Sequence, residues 1–335
     1  MSTEYVALSS SPNVSLVVAK CVDALRAGKL VVLPTETVYG IAALASNSDA
    51  VERLCAEKRR AIGRPLSIAI WGREVLDRYV PVVPSNALRL AERFWPGPLT
   101  LVLDASDPRS ALHRLPEVSR KIVTPQKTVG IRVPQNEFTL NVLKTLDEPI
   151  VLSSANYSGN RPAVSPDEAK TALGESPDLI IDDGNALYKT PSSVVKFDEN
   201  RWSILREGVL LRDDIQEALK ITLVFAYSEN SLANPPSDSI CKSLLSRFAG
   251  RREDELEEFG FQLVFAEIPR DDKSFDGGND ATCARSQEIN SNCKFNDELA
   301  QRCDVILAED ERIKSYILSR YPELDKKVVL ADWTT

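Results

Sequence analysis

Apolar and polar positions along the chain fall into two alternating rhythms, one of period near 3.6 and one of short apolar runs closed by turn residues. SLVVAKCVDALRAGK reads as a helix, LVVLP as a strand, SDAVERLCAEKRR as a helix, LSIAIWG as a strand, SNALRLAERFWPG as a helix and LTLVLDA as a strand. VGIRVP, NEFTLNVLKTLD, PIVLSSAN, SPDEAKTAL, LIIDDG, SSVVKFD and SILREGVL continue the alternation, and DDIQEAL closes it as a helix. This is the pattern of an α/β domain, and it predicts a boundary near residue 218. The alternation then restarts: KITLVFAY (strand), SICKSLLSRFAGRREDELEEFG (helix), FQLVFAEI (strand), the polar stretch DDKSFDGGNDATCARSQEINS, FNDELAQRCDVILAED (helix, strand), ERIKSYILSRYP (helix) and KVVLADW (strand). Two domains are expected, 1–218 and 219–335, the second a smaller α/β domain.

Composition narrows the chemistry. With 335 residues, 43% of them apolar, the chain can bury two cores, on a prior of about 150 residues per domain. Its apolar runs fall far short of the ~20 residues that span a bilayer, and Met1-Ser-Thr-Glu lacks the basic start of a signal peptide. A cytoplasmic protein is expected. The six cysteines are scattered without a CxxC pair, which reads as reduced thiols and argues against zinc. A single histidine, His113, expected at the surface, leaves almost no material for a histidine base or a His-rich metal site. From Lys220 onward 22 acidic residues face 15 basic ones, whereas 27 face 26 before it. The back part should repel a nucleic-acid backbone, and the near-neutral front can still gather its cations into one cleft.

Three stretches of the front part carry candidate chemistry. In LPTETVYGIAA a buried strand enters a turn where Thr35, Thr37 and Tyr39 line a polar pocket at a strand end or, equally on spacing, cap a hairpin or helix. EKRRAIGRPLS crowds Lys58, Arg59, Arg60 and Arg64 behind a helix, either as a solvated basic end meeting the helix dipole or, given the rigid GRP turn, as a phosphate clamp. SSANYSGNRP follows the apolar strand PIVL with hydroxyls, amides and backbone N–H groups suited to an anion. TPSSVVKF, ILREGVL and the WPGPLT corner add serines, an arginine and Thr100 beside strands.

PTETVYG, KRRxxxRPL, FWPGPLTLVL, VGIRVP, SSANYSG, PSSVV and ILREG stand in the order and spacing of the YrdC/Sua5 family, which residues 5–217 resemble. The resemblance implies a twisted mixed α/β sheet enclosing a basic cavity. It implies a synthase that makes threonylcarbamoyl-AMP and pyrophosphate from L-threonine, bicarbonate and ATP with Mg²⁺, for N6-threonylcarbamoylation of adenosine 37 in tRNA. By motif position it places Thr35 and Arg132 at threonine and Lys58, Arg60 and Arg64 at the ATP phosphates, Lys58 and Arg60 as the catalytic cations. It places Thr100, Ser154, Asn156, Ser192 and Arg206 at the nucleotide. No protein side chain is assigned to a metal. Transfer proteins acting on tRNA are the implied partners, with weak direct tRNA binding. Ala69 and Asn136 depart from histidines found in some members, which bears on threonine recognition.

Residues 220–335 resemble the low-molecular-weight protein tyrosine phosphatases, a three-layer α/β fold with a parallel sheet. The strand–loop–helix layout VFAYSENSLANPPSDSICKSLL fits that family's phosphate loop, but Tyr227 stands at the nucleophile position and Ala233 at the arginine position. The second domain is expected to lack phosphatase activity. Two other readings are an RNA-binding module without adenylation, which the acidic back part and the lack of a basic-aromatic pattern argue against, and a carbamoyl-transfer maturation factor, which lacks its zinc-type cysteine pairs here.

Overall fold

The computed structural model describes residues 3–59, 65–198, 201–228, 261–268, 292–294, 300, 303, 305–308 and 311–330. The chain divides into two compact units, Met1–Ala218 and Leu219–Thr335.

In the first unit the strands are β1 (Glu4–Ala7), β2 (Val31–Leu33), β3 (Gly40–Leu44), β4 (Ser67–Ala69), β5 (Leu99–Asp104), β6 (Thr128–Arg132), β7 (Ile150–Ser154), β8 (Leu179–Asp182), β9 (Ser193–Asp198) and β10 (Arg201–Arg206). Its helices are α1 (Val14–Arg26), α2 (Ser48–Glu57), α3 (Leu76–Tyr79), α4 (Ser85–Phe94), α5 (Glu117–Val123), α6 (Glu137–Leu146), α7 (Pro166–Leu173) and α8 (Arg212–Leu219), whose last residue lies past the division. The strands form one mixed sheet in the order β1-β8-β2-β3-β7-β4-β6-β5-β9-β10. Strand and turn chemistry explain the boundaries. Asn13, Asn47, Asn136 and Ser165 cap α1, α2, α6 and α7 by accepting backbone N–H bonds. The helix α2 ends at Lys58, after which Arg59 turns left-handed with φ 47°.

The apolar stripes of α1 and α6 (Val18, Cys21, Val22 and Leu25; Val142, Leu143 and Leu146) pack on Val31, Leu33, Ala42 and Ile181 to form a core on one face of the sheet. The motif LPTETVYGIAA is a strand–turn–strand, since β2 pairs antiparallel with β3, Leu33 opposite Gly40. It is a hairpin rather than a helix cap.

The second unit contains β11 (Ile221–Ser228), β12 (Phe261–Ile268), β13 (Asn292–Lys294), β14 (Val305–Ala308), the helix α9 (Glu311–Arg320) and β15 (Val328–Leu330). The five strands form a parallel sheet in the order β13-β12-β11-β14-β15. Ile313 and Ile317 of α9 pack with Ala226, Ile306, Ala308 and Val328. Asn230, Ala233 and Cys241 lie outside the described residues. No helix among the described residues is long and apolar enough to cross a membrane.

Candidate active site

The same face of the large sheet floors a cavity of about 510 Å³, since Ile150 of that core pairs with Ala69 and Ala69 with Arg132. Alternation decides which side chains reach it. Thr128, Gly130 and Arg132 of β6, Thr100 and Val102 of β5, and Val194 and Lys196 of β9 line the cavity. Their strand neighbours Val129, Ile131, Leu99, Leu101, Ser193 and Val195 are buried.

Register then places the cations. Arg132 lies opposite Thr100, Thr100 beside Val194, and Val194 opposite Arg206, so a single rung crosses four strands with an arginine at each end. Three inter-strand spacings separate the two arginine backbones by about 14 Å. The adjacent rung runs Gly130, Val102, Lys196, Ser203. A Cβ on Gly130 would stand 2.6 Å from the Ser67 hydroxyl, so only glycine leaves the floor open there.

Arg206 reaches this face because β10 carries a bulge. Trp202 pairs with Phe197 and Ile204 with Val195, and regular alternation would send Arg206 to the same buried side. The register shifts between Ile204 and Arg206, Leu205 is the extra residue, and Arg206 pairs with Val194 on the cavity side. A bulge re-aims a side chain in this way at the cost of one ladder pairing.

At one pole Arg132 is nearly buried. Its Nη2 donates to Glu36 Oε1 and to Thr37 Oγ1, both at 2.7 Å, and its Nε donates to Gly97 O at 3.3 Å. Glu36 Oε2 accepts from the Gln135 backbone N–H at 2.9 Å. Side-chain exposures of 10% for Arg132 and 3% for Glu36 make this a largely desolvated ion pair, the kind that persists only when further hydrogen bonds satisfy both partners. Nη1 is the guanidinium nitrogen without a partner among the described residues. Thr35 borders the cavity, with Oγ1 donating to Val38 O at 2.6 Å and lying 3.0 Å from Thr37 Oγ1. The Tyr39 hydroxyl faces away into the turn at 182–184, donating to Gly184 O at 2.6 Å and accepting from Asp183 N at 3.1 Å; burial pushes its phenol well above its ordinary value.

At the other pole Thr100 Oγ1 and Ser192 Oγ are 3.0 Å apart. Arg206 donates from Nε and Nη2 to Ser192 O at 3.0 and 2.8 Å, and from Nη2 to Ser192 Oγ at 3.1 Å. Ser154 lines the cavity wall. Among the described lining residues the charged ones are Arg132, Lys196 and Arg206, and no carboxylate joins them. The cavity therefore selects for negative charge.

The structure thus gathers Thr35, Thr100, Arg132, Ser154, Ser192 and Arg206 around one cavity. Lys58 is placed differently from the expected phosphate contact. It is 1% exposed, and Nζ donates to the carbonyls of Ser154 and Asn156, the latter at 2.7 Å, because the helix cap at Lys58 turns its stem under the 153–160 loop. Its ammonium fastens that loop. Asn156 is buried and its Nδ2 donates to Tyr157 O and Asn160 O, both at 2.7 Å, while its Oδ1 is buried without a hydrogen-bond partner. Arg60 and Arg64 lie outside the described residues. Asn136 caps α6 and donates to Asp183 at 2.8 Å. Ala69 lines the cavity. Glu36 and Lys196 were not singled out from sequence. Glu36 was legible as the one carboxylate in a hydroxyl-rich turn, and Lys196 as a cation at an alternate position of β9.

A family model spanning Sua5, YciO and YrdC proteins, described as telomere recombination, matches residues 23–208. The threonylcarbamoyl-AMP synthase of Pyrococcus abyssi is 36% identical over 195 residues, 58% of this chain and 55% of that protein. The threonylcarbamoyl-AMP synthase of Bacillus subtilis is 30% identical over 206 residues, 60% of this chain and 56% of that protein. The chain thus spans about half the length of these curated relatives. Among solved structures, P. abyssi Sua5 complexed with L-threonine is similar in fold, with a TM-score of 0.58 and 24% identity over 80% of this chain and 92% of that one. The E. coli YciO crystal structure gives a TM-score of 0.54 with 27% identity, covering 64% of this chain and all of that one. With the family model covering more than half of its residues and the same fold in solved relatives, the chain belongs to the Sua5/YciO/YrdC family.

Proposed function

We propose that this protein is a threonylcarbamoyl-AMP synthase, forming threonylcarbamoyl-AMP and pyrophosphate from L-threonine, bicarbonate and ATP. The observation that carries the reading is the rung with an arginine at each end of a cavity that has no carboxylate among its described lining residues. Two relatives bearing that enzyme's name support it. The free Nη1 of Arg132 takes the threonine carboxylate, beside Thr35. The threonine amine adds to carbon dioxide as a carbamate. A carbamate oxygen then attacks the α-phosphorus of ATP, a P–O bond forms, and the bond to pyrophosphate breaks. Thr100, Ser192 and Arg206 hold the nucleotide, with Ser154 and the buried Asn156 beside them and Arg60 and Arg64 on its phosphates. The protein works by positioning and by neutralising the leaving group. With no carboxylate among the described lining residues, Mg²⁺ arrives on the phosphates of ATP as part of the substrate. The product serves tRNA threonylcarbamoyl transfer in the cytoplasm.

The deciding experiment incubates the protein with Mg·ATP and bicarbonate, with and without L-threonine, and follows pyrophosphate. Release that requires both threonine and bicarbonate is expected. Release indifferent to them sinks the reading.

For the second unit we propose a phosphatase-like scaffold that does not hydrolyse phosphate esters. Its sheet changes direction of winding at β11, between β12 and β14, and ligand crevices of such sheets open beyond the strand ends at that point. Tyr227, at the nucleophile position, lies in β11 next to its end. Turnover of p-nitrophenyl phosphate abolished by Cys241→Ser would overturn this.

A further inference from the structure

We infer that Lys196 is an anion-binding residue of the cavity and, with Arg206, forms a two-cation pole that takes the polyphosphate of the nucleotide. The inference rests on the synthase reading and adds to it a residue that no motif assigned. Lys196 lines the cavity on the same face of β9 as Val194, the rung partner of Arg206. Two residues along one strand put the Lys196 and Arg206 rungs about 7 Å apart. Both cations therefore converge on one stretch of a polyphosphate, and Arg132 stands alone at the far end of its rung. Thr128, on the same face as the Gly130 that shares the Lys196 rung, adds a hydroxyl to that wall.

The present partner of Lys196 does not tie it down. Its Nζ meets Asp198 Oδ1 at 2.8 Å, but the two side chains are 30% and 66% exposed. Such a pair sits in water and contributes little, so the ammonium can exchange a carboxylate for a phosphate oxygen at small cost. Lys58 is differently placed, since its ammonium is held by the Ser154 and Asn156 carbonyls beneath the loop. The two cations also differ in kind. Arg206 is clasped in one orientation by Ser192, whereas a lysine is a mobile point charge with three donors, able to follow a polyphosphate as its oxygens separate.

Titration calorimetry of the full chain with inorganic pyrophosphate, ATP and L-threonine, at low and at physiological salt, tests this. In Lys196→Met the Kd for pyrophosphate and for ATP should rise by about tenfold, the value of one charge-assisted contact, with the Kd for threonine unchanged. Asp198→Asn, which removes the competing carboxylate, should tighten both phosphate ligands, and Lys196→Arg should keep most of the wild-type affinity. Pyrophosphate binding by Lys196→Met equal to wild type at low salt overturns the inference, and so does an equal loss for threonine. Should Lys196→Met fail to fold, unchanged affinity in Asp198→Asn together with full loss in Lys196→Arg overturns it. Because binding needs no turnover, these outcomes are separate from the synthase test: threonine-dependent pyrophosphate release by the wild type can stand while the role of Lys196 falls, and the reverse.

Discussion

Arg132 is shared between protein and cavity. Glu36, Thr37 and the Gly97 carbonyl occupy Nη2 and Nε, and together they hold the plane of the guanidinium so that Nη1 is presented to a ligand. Glu36 is therefore a positioning residue, and removing it leaves a buried cation uncompensated. Glu36→Ala should destabilise the first unit by about 3–5 kcal/mol, seen as a fall in Tm. Glu36→Gln keeps the shape and should fold, but with a raised KM for threonine and an unchanged KM for ATP. A structural role alone would move neither constant selectively. At this scale the motifs made Thr35, Thr100, Arg132, Ser192 and Arg206 legible as cavity residues. The direction of Lys58 was not legible, because composition shows a cluster of cations while the backbone at the helix cap decides which of them turns inward.

The elements of the first unit were mostly readable from periodicity, since long apolar stripes such as α1 and buried runs such as β5 leave one face or both in the core. The strand β1 and the helices α3 and α5 were not read. β1 is a short, half-exposed edge strand whose sheet partner among the described residues is β8, about 175 residues further on, and nothing local announces such a pairing. The bulge in β10 was equally hidden, because an inserted residue looks like any other apolar position. It is nonetheless what brings Arg206 to the cavity. Deleting Leu205 removes the extra residue, so that Arg206 follows Ile204 directly and still meets Val194 on the cavity side. The deletion variant is expected to fold and keep ATP affinity within about threefold of wild type, while Arg206→Met should bind ATP at least about tenfold more weakly on the scale of one charged contact, both measured by calorimetry. An equal loss in both variants would show that Arg206 does not meet the nucleotide from the register position opposite Val194.

Across the whole molecule, every described residue that lines the cavity comes from the first unit. A chain of residues 1–218 should therefore keep threonine-dependent pyrophosphate release within about threefold of the full chain, a difference of under 1 kcal/mol in the barrier. A loss of several orders of magnitude would mean that the acidic second unit contributes directly to the reaction. Stability should also depend on pH in the alkaline range. Burial pushes the thiol of Cys21 from 9.0 to about 12 and the phenol of Tyr79 from 10.0 to about 12. Both stay protonated in the folded state while the unfolded chain loses those protons, so their contribution is complete below pH 9 and is lost as the pH climbs toward about 12. Each group adds a slope of roughly 1.4 kcal/mol per pH unit within its window. Urea unfolding at pH 8, 10 and 11 should show the decline, and Cys21→Ala should flatten its lower part; a flat profile between pH 9 and 11 would count against it.

The rung from Arg132 to Arg206 runs across the strands rather than along them. Its length is consequently a count of strands, fixed by backbone hydrogen bonds at about 4.8 Å a step, and no side-chain substitution can change it. The two ends of the cavity can be rewritten independently, one arginine at a time, while the gauge between them stays constant. A ligand longer or shorter than this span by a fraction of a step finds no compromise position, so size discrimination is built into the ladder itself, leaving the side chains to discriminate charge and shape.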